Sequence, residues 1–250
     1  MLKRLLSTLL ILGILIGLLP AVAIPRAEAA SATASNIRTL FEARSQGVHP
    51  RIMANADDFA RIRKLVQTDP YMKMWYTRIY NYSVDTLSKP LCIYEKPDNK
   101  SILTVSNEAT FRITWLAMAY QISGEERFAR RAVEEMINVC SFKDWNSAHY
   151  LDTAQMSYGV GIGYDWLYHY MTASQRKTVR NGLYKNGIAT QDPPPNNAMQ
   201  KVNNWNPWCN GGISVGAAAI FEDYPSECST ILANAVNNLP LSFQYAPAGS

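Results

Sequence analysis

The chain has 250 residues, of which 48% are hydrophobic and 18% charged, enough for one large domain or two small ones with a buried core. The formal charge is +4, and Lys3, Arg4 and Arg26 against Glu28 place +2 of it in the first 29 residues, so charge gives no argument for a nucleic-acid partner. Cys92, Cys140, Cys209 and Cys228 form no CxxC and no Cys/His ligand spacing, which argues against zinc and leaves three disulfide pairings or free thiols open.

The N-terminus reads as a targeting segment. Lys3 and Arg4 precede an uncharged run from Leu5 to Leu19, and Ala27-Glu28-Ala29 offers a small-x-small cleavage site. Residues 1–29 fit a secretory signal, which predicts a secreted, periplasmic or cell-envelope protein. Membrane association follows only if that segment stays uncleaved, because the apolar run approaches a spanning length. Residues 30–48 are small and polar and read as a linker.

Helical periodicity begins after "HPRIMAN". Asn55 and Asp58 form a capping pair ahead of Phe59, Ile62, Leu65 and Val66. A second helix is expected from Pro70 to Leu87, then a loop over 88–104. Ser106 or Asn107 is the expected cap of a helix through Ile122, ended by Gly124. A partner follows from Glu125 to Cys140 with Phe128, Ala132, Met136 and Val139 on one face. The next pair is Leu151–Tyr170 and Thr172–Asn186, the latter opened by a Thr172/Gln175 capping box. After the proline-rich "QDPPPNN" comes a last pair, from Cys209 to Phe221 and from Pro225 to Leu239, with Asn206-Pro207 as the expected cap of the first. Alternating strand patterns are almost absent. The fold class is therefore all-α, built from antiparallel helix hairpins that close into an α/α toroid or stack as a solenoid.

Few residues offer chemistry. The three histidines are His49, His149 and His169. Asp152 and Asp165 lie thirteen residues apart on one helix, several turns from each other, so they do not pair. No GxSxG elbow, P-loop or HExxH is present. Gly159, Gly161 and Gly163 sit among aromatics in "SYGVGIGYDWLYHY", which points first to close helix packing and second to close approach of a ligand. The other unusual stretch is "KVNNWNPWCNGG", 201–212, with four asparagines and two tryptophans but no carboxylate or histidine. Amides cannot act as bases at neutral pH, but they hold carboxylates and oxyanions well.

Four segments carry a resemblance. "HPRIMANADDFARIRKLVQTDP", "FKDWNSAHYLDTAQMSYGVGIGYDWLY", "NNWNPWCNGG" and "LPLSFQYAPAGS" occur in this order. In them the chain resembles the N-terminal part of the heparinase II/III-like polysaccharide lyases. The resemblance implies an incomplete α/α toroid over 49–250 and a β-sandwich domain following it in cis. It implies β-elimination on an acidic, uronic-acid-containing polysaccharide of the heparin, heparan sulfate or alginate kind, with no cofactor in this portion. It assigns Asn204 as the catalytic amide that holds the substrate carboxylate while charge builds on it. Asn203, Trp205 and Asn206 become substrate-facing neighbours, with His149 across the cleft and Tyr158 as further substrate-binding candidates. The sequence departs from the family in carrying Trp205 where many relatives carry histidine. It also stops at Ser250, before the family's tyrosine-rich stretch and its later histidine, so the chain reads as a fragment that is expected to be inactive alone. Two other functions compete: a glycoside hydrolase on an α/α toroid, and a non-catalytic glycan-binding relative.

Overall fold

The structure is a computed structural model and describes residues 31–190 and 195–243. The expected signal segment 1–29, the start of the proline-rich loop and "YAPAGS" lie outside the described residues. Nine α-helices are present among them: α1 Ala34–Arg44, α2 Ala56–Thr68, α3 Pro70–Leu87, α4 Leu103–Ser123, α5 Glu126–Cys140, α6 Tyr150–Trp166, α7 Ala173–Asn186, α8 Trp205–Ala219 and α9 Pro225–Asn238. Short 3₁₀ segments cover Ile188–Thr190, Pro195–Gln200 and Leu239–Phe243. The described residues hold no strand, so the chain is all-α. None of their helices is long and apolar enough to cross a membrane.

Local signals set several boundaries. Asn55 and Asp58 cap α2 reciprocally, and Thr172 and Gln175 do the same for α7. Pro70 and Pro225 open α3 and α9, where a missing N–H is harmless. Gly124 ends α4 in the left-handed conformation with φ 75°.

The region expected to be a linker is different. Residues 34–44 form α1, capped by the Thr33 side chain and packed against α9. Phe41 and Ile37 pack it on the core, and Phe41 stacks on Phe221 with ring centroids 3.8 Å apart. The segment's polar composition hid that long-range contact.

Three hairpins follow in series, α4/α5, α6/α7 and α8/α9, each joined by a short connection. The first helices of the hairpins pack on one another, α4 against α6 and α6 against α8, while α5 packs against α7 outside them. Helix α6 is the centre of this arrangement. All of its residues except Leu151 and Tyr158 are buried. Its glycines permit this: a Cβ on Gly159 would fall 2.5 Å from Thr110 Oγ1, and one on Gly161 would fall 3.0 Å from the Gly216 Cα. Close packing is therefore the reason for the glycine-rich pattern.

The segment before α2 is stapled to α6. Asp165 is fully buried and accepts from the backbone N–H groups of Arg51 (2.9 Å) and Ile52 (2.8 Å), with His49 Nδ1 2.6 Å away. Arg51 reaches the other way, to the Glu222 carboxylate and the Ala218 carbonyl (2.7 Å). Burial opposes ionisation of Glu222, but the hydrogen bond and charge of Arg51 outweigh it and hold the carboxyl below its usual range. The four cysteines are unpaired.

Candidate functional site

The start of α6 carries a histidine–aspartate pair. His149 is the residue before the first helical turn, and Asp152 sits in that turn. His149 Nδ1 lies 2.8 Å from Asp152 Oδ1. A carboxylate only accepts, so Nδ1 is the ring nitrogen that donates to Asp152, and Nε2 is the one turned away from it. Nε2 has no hydrogen-bond partner among the described residues, and the imidazole is 30% exposed. Asp152 itself is fully buried. Its Oδ2 accepts from the Ile102 N–H (2.7 Å) and from Asn146 Nδ2 (2.6 Å).

Asn146 is held in turn. Its φ of 55° is the left-handed region that asparagine tolerates better than most residues. Its amide donates to the Lys100 carbonyl and accepts from Lys96 Nζ, and its N–H donates to Asp144. Asp144 also accepts from the Tyr94 hydroxyl at 2.8 Å, and burial followed by this bond pushes that phenol up to about 12. A continuous chain of polar contacts therefore runs from Tyr94 to the imidazole and fixes its orientation.

The asparagine-rich stretch meets this pair. Helix α8 begins at Trp205, earlier than the expected start near Cys209, because Pro207 falls in the first turn and needs no N–H there. Asn203 Oδ1 accepts from the Trp205 N–H at 3.1 Å. Asn204 occupies the capping position but makes no side-chain cap bond, and its amide is exposed. The Trp205 ring meets His149 edge-on at 5.2 Å, so His149 lies beside this loop rather than across from it. Lys201 Nζ sits 4.2 Å from the Trp205 ring centroid, a favourable cation–π contact.

Asn206 corrects the expectation of a substrate-facing residue. It is fully buried, its Nδ2 donates to the Asn238 carbonyl (2.9 Å), and its Oδ1 accepts from Asn210 (3.1 Å). It ties α8 to the end of α9 and does not reach solvent. Cys209 is also fully buried, and burial pushes its thiol up to about 12 against the smaller opposing effect of Lys201.

A cleft of about 570 Å³ opens between α4, α6 and α8. Trp115 and Phe111 of α4, Gln155 and Tyr158 of α6, and Trp208 of α8 line it. One turn separates Asp152 from Gln155 on α6, and one turn separates Trp205 from Trp208 on α8, so the cleft wall continues from the His149 pair. Tyr158 donates to the Met53 sulfur at 3.4 Å across the rim. No Asp, Glu, Lys, Arg or His lines the cleft among the described residues. Nor do three His, Cys, Asp or Glu side chains gather anywhere among them to ligate a metal ion.

Asn203, Asn204, Trp205 and His149 are thus brought together, and Tyr158 belongs to the adjoining cleft. From the sequence Asp152 figures only as a possible half of a carboxylate pair, and Asn146, Gln155, Trp115 and Trp208 are not assigned to the site. Asp152 had a signal, the i, i+3 spacing from His149 at a helix start. Gln155 and Trp115 had none, because their neighbours are distant in sequence. No described protein family and no curated protein matches the chain.

Proposed function

We propose that this chain is the N-terminal, α/α-toroid portion of a secreted polysaccharide lyase that cleaves uronic-acid-containing glycans by β-elimination. The observation that carries the reading is the His149 imidazole, fixed through Nδ1 by buried Asp152 and set against Trp205, the residue that follows the exposed Asn203 and Asn204. The resemblance in residues 49–70, 142–168 and 203–212 supports it independently. The hairpins packed in series suit a toroid.

The chemistry follows from these groups. The Asn204 amide donates to the uronate carboxylate and stabilises the enolate that forms when the neighbouring C–H loses its proton. Lys201 adds positive charge on the same side. A neutral Nε2 takes that proton, and Asp152 stabilises the imidazolium that results. The β carbon–oxygen bond then breaks, leaving an unsaturated uronide. Protonation of the departing oxygen falls to a tyrosine, in keeping with the resemblance. Trp205 offers an indole for the sugar's apolar face.

A hydrolase needs two facing carboxylates. Asp152, the acidic group at the His149 site, is buried and already engaged by Ile102, Asn146 and His149, so this alternative has less support. The test is absorbance of unsaturated uronides from the full-length gene product on a panel of uronate glycans. Product from one or more is expected. Saturated reducing ends without unsaturated product would replace the lyase with a hydrolase, and glycan affinity without any product would leave a binding protein.

A further inference from the structure

The connection between α3 and α4 carries an unpaired backbone edge. Exposure alternates along it: Leu91 is 40% exposed, Cys92 buried, Ile93 72% exposed, Tyr94 half-buried and Glu95 exposed. A period of two is that of extended chain, whose side chains point to opposite faces in turn. The segment pairs with no strand among the described residues. Side chains hold it instead. Arg131 donates to the Lys89 carbonyl (2.7 Å) and Arg112 to the Pro90 carbonyl (2.6 Å). Helix α5 grips both backbone groups of Cys92: Glu135 accepts from its N–H (3.5 Å) and Asn138 donates to its carbonyl (2.7 Å). In extended chain the N–H and C=O of one residue point to one side, and those of the next residue to the other. With the Cys92 pair turned to α5, the Leu91 and Ile93 pairs face away from it. Neither makes a hydrogen bond among the described residues.

A groove of about 200 Å³ lies between this segment and the first turns of α4, with Leu91, Ile93, Val105 and Glu108 among its walls. Its size and charge define the occupant. Pockets for a whole small molecule hold roughly 300–1,000 Å³, so this one suits single side chains of a peptide lying along it. Arg112, the one cation lining it among the described residues, is committed to Glu108 (2.8 Å) and Glu135 (3.1 Å). Glu95 also lines it and has neither an ion pair nor a hydrogen bond among the described residues. A second copy of this chain would bring its own Glu95 and Glu108 against these carboxylates, which is unfavourable. A basic partner relieves the same charge.

We propose that residues 90–95 are a docking edge for an extended, basic peptide segment of a partner protein, which adds to it as a strand. The partner's backbone pairs with the free N–H and C=O groups of Leu91 and Ile93. Its apolar residues, at alternate positions, enter the groove beside Val105, and its Lys or Arg residues meet Glu95. This surface is independent of the lyase reading.

The experiment uses the 250-residue chain and a fluorescent, end-capped peptide of alternating valine and lysine, with anisotropy as the readout. Two control peptides separate the contributions. One is N-methylated throughout, which keeps every charge but removes the backbone donors. The other has glutamate in place of lysine. The lysine peptide is expected to bind about tenfold tighter than either. Ile93→Pro deletes a backbone donor that bonds to nothing in the fold, and is expected to weaken the lysine peptide about tenfold with the melting temperature unchanged. Glu95→Gln is expected to weaken it about threefold. Absence of binding, equal binding of either control peptide, or full affinity in a folded Ile93→Pro chain overturns the proposal. So does dimerisation of the chain, seen by sedimentation, that Ile93→Pro abolishes, because the edge then takes a second copy.

Discussion

The molecule contains two histidine–aspartate pairs, and they differ in one respect that decides their roles. His49–Asp165 and His149–Asp152 share the same atoms at nearly the same distance, 2.6 and 2.8 Å between Nδ1 and Oδ1. Both aspartates are fully buried on α6, and both accept backbone N–H groups from a distant segment. His49, however, is sandwiched in the interior: its side chain is 3% exposed and stacks on Tyr168 at 3.9 Å. His149 is 30% exposed and meets only the edge of Trp205. One pair is therefore a staple, and the other, in the proposed function, is a mounted base. A histidine–carboxylate distance alone does not mark a catalytic group; access to the second ring nitrogen does.

The comparison breaks most sharply by removing one member of each pair. His149→Ala is expected to lower kcat/KM for unsaturated-product formation by about 10²–10⁴, with the melting temperature unchanged. Thermal scans and product absorbance on the same full-length protein check this, and a large loss of stability would place His149 in the structural class with His49. Asp165→Ala is expected to destabilise by about 3–5 kcal/mol, because it strands two buried N–H groups and a buried imidazole; urea unfolding measures it. Asn146→Ala should act at an intermediate level, lowering turnover by about tenfold with a stability loss of about 1 kcal/mol, since it removes one of the bonds that hold Asp152. Its stability loss should stay well below that of Asp165→Ala.

The mildest test uses acid. Glu222 has a folded-state pKa below its unfolded value of 4.5. Its contribution is present above that value and is lost as pH falls through the folded pKa. Stability should therefore decline below about pH 4.5, and Glu222→Gln should flatten that decline. Melting temperatures from pH 6 down to about pH 3 check it, and an unchanged slope in the variant would remove Arg51–Glu222 from the acid response.

Sequence and structure agree where the determinants are local. Capping pairs at Asn55/Asp58 and Thr172/Gln175, the Gly124 stop and the amphipathic face of α5 each act within a few residues, and each marks its helix correctly. They disagree where a partner is far away. Helix α4 starts at Leu103, not near Ser106, because the Ile102 N–H is satisfied by Asp152 of α6. Helix α1 looks polar because only two of its side chains, Ile37 and Phe41, pack on the distant core. Asn206 looks like a capping or ligand-facing amide, and its burial depends on the Asn238 carbonyl of the next hairpin. At the site, the loop chemistry of Asn203, Asn204 and Trp205 was visible in composition. The cleft was not, because three helices build it from residues that no periodicity brings together.

The contact between Ala32 and Asn237 has a topological consequence. The Ala32 N–H donates to the Asn237 side chain at 2.9 Å, and that side chain returns a bond to the Ala32 carbonyl at 2.8 Å. Residues 205 positions apart thus behave as neighbours, and the backbone between them is close to a closed loop. A covalent bridge between the two places would ask little of the fold. Circularly permuted chains, opened in the loop around Asn99 and joined by a short flexible linker from the end of α9 to Ala32, should refold with the cleft intact.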